Sequence, residues 1–457
     1  AAVGTPVPFE GARFNFLAAN VYDSASKNTL FVPYAIKTFG KIRVAFIGMT
    51  LRDTPTLVSP SGVAGLEFAD EAATVNALIP KLRARGVKAV VVLLHQGGTQ
   101  PVTQAADTIN SCAGNLASTP IAPIVNRLDD EVDLVISGHT HQAYNCWLPN
   151  KSGRLISVTS ANSIGRVLTD IDIGVNPKSG DITTVNAQNK LVDRSATGIV
   201  PDAEIAAIVS KYRALAMPIA NRVIGEITAA IPDSAINSAG ESALGDVIAD
   251  AQLQATVAND RGNAVIAFMN PGGIRAPGLL YPSSAAGEGD GKVTYGEVFT
   301  VQPFGNSLTT LTLSGEQIHI LLEQQFTDCH AGNAPATWNY PAGDTGQAFN
   351  RILQASAGFT YSWSAAGPGC DKIAPESIKL NGKVIDPLLE YRVTVNNFLA
   401  DGGDKFFILT KAKQRLGGAQ DVDALEVFFV NPLNDADSFR DGVQIAQGLQ
   451  NRIIRLN

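Results

Sequence analysis

The sequence predicts a mixed α/β protein of two domains, a layered α/β domain followed by an α+β domain, with a helix between them. Three observations carry this. A chain of 457 residues exceeds what one ordinary core holds. The first half reads as strand–helix units and then as a β-rich tail, which suggests layers rather than a simple parallel sheet. An alanine-rich helical stretch then separates two units of different patterning. The expected division is 1–196, 197–222 and 223–457.

Taken in order, Phe14–Val21 reads as a strand that ends in a polar turn. Phe31–Phe39 and Ile42–Met49 read as a hairpin across Gly40-Lys41. Asp70–Arg85 has helical spacing and closes at Gly86, a good C-cap. Val87–Leu94 is an apolar strand, Thr119–Leu128 a helix and Val132–Ile136 a second apolar strand. Short strands follow at Tyr144–Leu148, Leu155–Thr159, Val167–Ile173 and Ile182–Ala187. Pro201–Ala220 carries Ile205, Ile208, Val209, Tyr212 and Leu215 on one side and reads as the interdomain helix. The second domain opens near Val223. It should contain helices at Ala243–Thr256 and Ser314–Phe326, and strands at Ala264–Met269, Leu308–Leu313 and Tyr391–Val395.

Composition narrows the function. The chain is 45% hydrophobic and 17% charged, as in soluble globular proteins. A net charge of −7 leaves no basic face for phosphate backbones, which argues against a nucleic-acid partner. No apolar run is long enough for a transmembrane segment. The first residues, Ala1-Ala2-Val3-Gly4, lack an initiator Met and a signal peptide and read as a mature or clipped end. The four cysteines form no CxxC pair, so a thiolate zinc site is not expected. Two cysteines in each half are compatible with Cys112–Cys146 and Cys329–Cys370, one of three possible connectivities. Low lysine, few methionines and many small residues suit a secreted or periplasmic protein.

Three of the five histidines sit where chemistry is expected. His95 follows Val90–Leu94 and precedes Gly97-Gly98; His139 and His141 follow Val132–Ile136 behind Gly138. Strand ends of open α/β sheets are where ligands bind. Neutral imidazoles suit zinc, manganese or iron, and the glycines keep the backbone clear for ions and phosphate oxygens. A lone histidine is more often a core or surface residue, so the case rests on three at strand ends of one domain.

These motifs resemble a known family. Leu93-Leu94-His95 and Ser137-Gly138-His139-Thr140-His141 look like two motifs of the calcineurin-like metallophosphatases. Asn270-Pro271-Gly272-Gly273-Ile274-Arg275, Gln302-Pro303-Phe304-Gly305-Asn306 and Asn397–Asp404 resemble, in order and spacing, the second domain of the 5′-nucleotidase family. The resemblance covers essentially the whole chain. It implies a four-layer α/β/β/α metallophosphatase domain, a helix on which the second domain rotates (hinge within 196–222), and an α+β nucleotide-binding domain. It implies two divalent metal ions, Zn or Mn, with His95 and His139 on one and His141 on the other. It also implies that Asn270 and Arg275 contact the nucleotide, that Phe304 and Phe398 clamp its base, that Asp404 accepts from the ribose hydroxyls and that Asn397 meets the base edge. For the two phenylalanines the competing reading is a pair of core anchors, the commoner fate of Phe.

The departures from the family matter as much. Its opening Asp-x-His motif, its bridging aspartate and its Gly-Asn-His-Glu motif do not occur in this sequence. The metallophosphatase domain is therefore expected to be N-terminally truncated. The bridging carboxylate and catalytic histidine would come from outside, for instance from the missing segment as a separate chain, and no catalytic acid is assigned. Many members carry an arginine just before the helix at Ala243, whereas Ile236–Ser242 has none, which leaves phosphate recognition to Arg275 and the metals. The expected activity is metal-dependent hydrolysis of nucleotide phosphate esters: 5′-nucleotides, UDP-sugars or 2′,3′-cyclic nucleotides. The alternatives are a metallohydrolase for a non-nucleotide ester, or a nucleotide-binding module without catalysis.

Overall fold

The computed structural model describes residues 12–58, 60–102, 105–117, 119–196, 198–233, 236–282, 287–341, 344–430 and 449–456. Its contacts divide the chain into two compact units. One comprises Ala1–Pro55 and Val63–Asp202, the other Thr56–Gly62 and Ala203–Asn457.

The first unit is built on a six-stranded mixed sheet. Its strands are β1 (Tyr34–Phe39), β2 (Ile42–Met49), β3 (Ala89–Leu94), β4 (Leu134–Ser137), β5 (Ala143–Pro149) and β6 (Leu155–Ala161), in the spatial order β1-β2-β3-β4-β6-β5. β2, β3, β4 and β6 run parallel, and β1 and β5 are antiparallel edge strands. The apolar run of β3 has no polar alternation because both of its faces are buried. Val90, Val92 and Leu94 pack with Val75, Ile79 and Leu82 of helix α1 (Glu71–Ala84) and with Ile121 and Val125 of α2 (Ile121–Asn126). On the other face, Ala89 and Val91 meet Ile171, Ile173, Ile182 and Val185 of the hairpin β7–β8 (Val167–Val175, Ile182–Leu191). The described residues thus form an α/β/β stack. Asp70 caps α1 by accepting from Ala73 N, and Gly86 past its end has φ +70°. The Cys112–Cys146 disulfide ties the segment before α2 to β5.

The strand expected at Phe14–Val21 does not form. Leu17 makes one isolated bridge to Val32, and the paired strand is Val21–Asp23, antiparallel to Leu66–Phe68. Phe14, Phe16 and Phe31 instead contact one another, with centroids 5.2 and 5.7 Å apart, and all three are exposed. Their apolar surface answers to each other, not to a sheet face.

The second unit opens with helix α3 (Ala203–Ala220), which has no buried residue. Its main sheet has the order β11-β9-β13-β10-β14. These strands are β9 (Ile266–Met269), β10 (Ser307–Ser314), β11 (Gln354–Ala355), β13 (Glu390–Asn396) and β14 (Lys413–Gln420). β9 and β13 are parallel neighbours, with Ile266 opposite Val393. Helix α4 (Ala243–Thr256) shares a core with α5 (Tyr295–Val301) and α8 (Asp421–Val430), where Leu244, Ile248, Val298 and Leu425 meet. A second core joins Ile318 and Leu321 of α6 (Gly315–Glu323) to Phe268, Leu311 and Val393 of the sheet. Ser314 closes the N-terminus of α6 in a reciprocal capping box with Gln317. β12 (Phe359–Ser364) lies parallel to β15 (Ile453–Leu456), and Cys329–Cys370 is the second disulfide. Among the described residues no helix is long and apolar enough to cross a membrane.

Candidate functional site

In the first unit, parallel pairing carries β3 and β4 to the same sheet edge, so the loops that follow them touch. His95 is one residue past β3 and receives a backbone bond from the strand beside it, its N–H donating to Met49 O at 3.0 Å. His139 is two residues past β4, and its ring centroid is 5.1 Å from that of His95. His141 is close enough to His95 for its charge to act there. Partial desolvation, and then the charge of His141, hold the His95 imidazole below the usual histidine range. His95 is therefore neutral near pH 7, the form that binds a metal. All three side chains reach the surface. His139 and His141 adopt left-handed backbone, φ +66° and +56°, at a cost of about 1–3 kcal/mol each.

The surrounding loops explain how that backbone is held. A methyl group on Gly97 would lie 2.1 Å from Gly138 O, so the two loops meet at backbone distance only because residue 97 is glycine. Thr140 Oγ1 donates to Gly98 O at 2.7 Å. Gly98 N–H donates to the Tyr144 hydroxyl at 3.1 Å, which meets Ser137 Oγ at 2.6 Å, and Ser137 Oγ donates to Thr159 O at 2.9 Å. Tyr144 is fully buried, and burial pushes its hydroxyl up from the usual range. Tyr144→Phe should cost about 1–3 kcal/mol, because the partners of the lost hydroxyl stay buried. Urea unfolding of the two proteins checks this; equal midpoints would show that the lock contributes nothing.

Among the described residues, no group of three or more His, Cys, Asp or Glu side chains is placed to hold a metal. The donors fit one part of a centre: two adjacent imidazoles, His95 and His139, on a constrained backbone. Among the described residues, no Asp or Glu joins them to complete such a group, as hard or borderline ions also need.

In the second unit the same logic recurs at the ends of parallel β9 and β13. Asn270 follows β9 and Asn396 ends β13, and both are buried. Asn396 Nδ2 donates to Asn270 Oδ1 at 3.0 Å, and Asn270 Nδ2 donates to Asp404 Oδ2 at 2.8 Å. The other oxygen of Asp404 pairs with Arg351 at 2.9 Å. Burial raises the Asp404 carboxyl, while Arg351 and then Asn270 pull it back. Asn270, read from the motif as a nucleotide contact, also orients Asp404 through one of its amide hydrogens. Asn397 lies in helix α7 (Asn397–Ala400) and accepts from Ser307 N at 3.0 Å, so its carbonyl end ties α7 to β10.

Arg275 is exposed, with its guanidinium carbon 4.9 Å from the centroid of the half-exposed Phe304 ring. Asn306 and Asp421 fix the Phe304 loop to the start of α8: Asp421 N–H donates to Asn306 O at 2.8 Å, and Asn306 Nδ2 to Asp421 Oδ2 at 3.3 Å. Phe398 is half-buried on the core and lies flat against the backbone of Gly403, where a methyl group would come within 2.5 Å of the ring. The structure therefore groups Asn270 with Asp404, Arg275 with Phe304, and Phe398 with the 402–405 loop. Asn396, Gln347 and Arg351 were not read as site residues. The polar pair Asn396-Asn397 after an apolar strand could have pointed to the first; nothing local marks the other two.

Together these features define a class: an α/β/β unit with histidines at its strand ends, joined to a unit with a polar cluster flanked by loop aromatics. Residues 223–411 match the family model of the 5′-nucleotidase C-terminal domain, the second of the two domains that the motifs resemble. The chain is 28% identical over 421 residues to the endonuclease YhcR of Bacillus subtilis, covering 91% of this chain and 29% of that protein. It is 25% identical over 426 residues to a 5′-nucleotidase of Vibrio cholerae, covering 87% of this chain and 68% of the other. The crystal structure of a 5′-nucleotidase precursor from Thermus thermophilus superimposes with a TM-score of 0.70 at 25% identity, covering 98% of this chain and 79% of that one. The chain spans less than half the length of three of the relatives it matches.

Proposed function

We propose that this protein hydrolyses phosphate esters of nucleotides with the help of divalent metal ions, outside the cytoplasm. The observation that supports this most is the joint presence of a histidine pair 5.1 Å apart in the first unit and a 5′-nucleotidase C-terminal domain over 223–411. In this reading His95, His139 and His141 hold zinc or manganese, with oxygen donors from beyond the described residues. When bound, such ions polarise phosphoryl oxygens and lower the pKa of a water. The protein's own groups bind and orient. Phe304 and Phe398 offer π faces to a base, Arg275 offers its planar fork to phosphate, and Asp404 accepts from the ribose hydroxyls. The residues 197–222 act as the link between a metallophosphatase domain and a substrate domain. The two disulfides suit an extracellular or periplasmic place.

The test is phosphate release from AMP, a nucleoside diphosphate, a UDP-sugar and a 2′,3′-cyclic nucleotide, each with added zinc or manganese. Absence of metal-dependent release from all four sinks the proposal. One observation favours a second reading, nucleotide binding without hydrolysis: no group of three metal-binding side chains is placed among the described residues. Calorimetry showing AMP binding, with no bound metal by elemental analysis, would select it.

A further inference from the structure

We infer that Arg351 is the positioning residue that holds Asp404 as an oriented acceptor for the two hydroxyls of a vicinal diol. The inference rests on the nucleotide-binding reading of the second unit and adds to it a residue outside every motif. Asp404 is 3% exposed and its partner Arg351 is 12% exposed. A carboxylate so buried needs a cation and hydrogen bonds to persist. Arg351 Nη1 lies 2.9 Å from one oxygen, Asn270 Nδ2 donates to the other at 2.8 Å, and each oxygen keeps a lone pair. Two acceptors side by side match the two O–H donors of a cis-diol, whereas a protonated carboxyl would turn one of them into a donor.

The guanidinium is itself held. Its other side rests on Phe349, 4.3 Å from the ring centroid, and the backbone N–H of Arg351 donates to Gln325 O at 2.8 Å. Gln347, four residues earlier, donates to the backbone carbonyl of Asp404 at 2.6 Å. The segment 347–351 therefore grips the loop at both its backbone and its side chain. That loop needs a grip, since Gly402, Asp404 and Lys405 all have left-handed backbone. Of the other charges nearby, Lys405 Nζ donates to Gly346 O at 2.8 Å, Asp344 accepts from Gly346 N at 3.1 Å, and Asp401 pairs with Arg415. Arg351 is the cation whose pairing with Asp404 the geometry shows.

The test compares wild type, Arg351→Gln, Arg351→Lys and Phe349→Leu. Without ligand, the Asp404 carboxyl titration is followed by the carbon-13 shift of labelled aspartate. In Arg351→Gln its midpoint should rise by about one unit or more, equivalent to about a tenfold change in the ionisation constant. Arg351→Lys should stay near wild type. Phe349→Leu, which removes an exposed ring and leaves the charge, should give a smaller rise and serves if the glutamine variant does not fold. With ligand, Arg351→Gln should bind AMP more weakly than wild type, by a factor that approaches about tenfold as the pH falls below both midpoints and vanishes as it rises above them. Binding of 2′,3′-dideoxy-AMP should not differ between the proteins. An unchanged midpoint, or an equal loss for the dideoxy ligand, overturns the role of Arg351. A wild type that binds no AMP at any pH overturns the nucleotide reading instead, while the ligand-free titration still decides the hold of Arg351 on Asp404.

Discussion

With alanine in place of Gly97, the proposed metal-dependent phosphate release should fall about a hundredfold, with KM little changed. The added Cβ would sit 2.1 Å from Gly138 O and 2.7 Å from Thr140 Oγ1. Neither neighbour is a flexible side-chain end: one is backbone, and the other is bonded to Gly98 O. The His95 and His139 loops must therefore part by about an ångström. Such overpacking costs about 1–3 kcal/mol of stability. A displacement of about 1 Å at reacting groups is worth about a hundredfold in rate. Binding of zinc or manganese, read by calorimetry, should weaken in parallel. Gly417→Ala is the control, because no atom lies within 4 Å of the Cβ it would add. If both variants keep full activity, the contact between the loops does not position the histidines.

The second large effect is on KM. Removing Phe304 or Phe398 should raise KM for AMP by about 5- to 150-fold each, since base stacking on an aromatic contributes about 1–3 kcal/mol. The two positions differ in cost to the fold. Phe304 is half-exposed and Phe398 packs on the core, so Phe398→Leu separates packing from stacking. Leucine restores most of the apolar volume and none of the π face. For a simple alkyl phosphate, which has no base, KM should stay within about twofold, a difference of about 0.4 kcal/mol. A rise of equal size for both substrates would mean that the rings shape the unit and do not read the base.

Legibility in the sequence followed the range of the forces. Helix α4 was bounded from its pattern alone at Ala243–Thr256, because its apolar spacing and its N-cap Ser242 are local signals. The strands delivering His95 and His139 were legible for a similar reason: a β-branched run buried on both faces has no other home. Phe14–Val21 carried the same apolar character, yet its rings found one another. In the second unit the motifs named Asn270 and Asp404 as candidates but not the bond between them, 134 positions apart in the chain. Arg351 left no trace in any pattern, since its partner lies 53 positions away, read from the numbering of the pair. A residue whose significance is one long-range ion pair is visible only once the chain is folded.

The last described strand has a consequence for how the protein is made. β15 (Ile453–Leu456) pairs with β12, which precedes it by about ninety residues, and Arg452 next to it reaches Asp250 at 2.8 Å and the carbonyl of Ala355 at 2.7 Å. The first unit's contacts end at Asp202, so its residues emerge ahead of the second unit's sheet. The second unit stays open at an edge until residue 456 has emerged. Synthesis at about 5–20 residues per second then imposes a wait of roughly ten seconds or more between the two closures. During that wait the first unit's strands can pair while the second unit's sheet is still partly exposed. The order of folding is thus written into the chain's direction, and the unit proposed to read the nucleotide closes after the first.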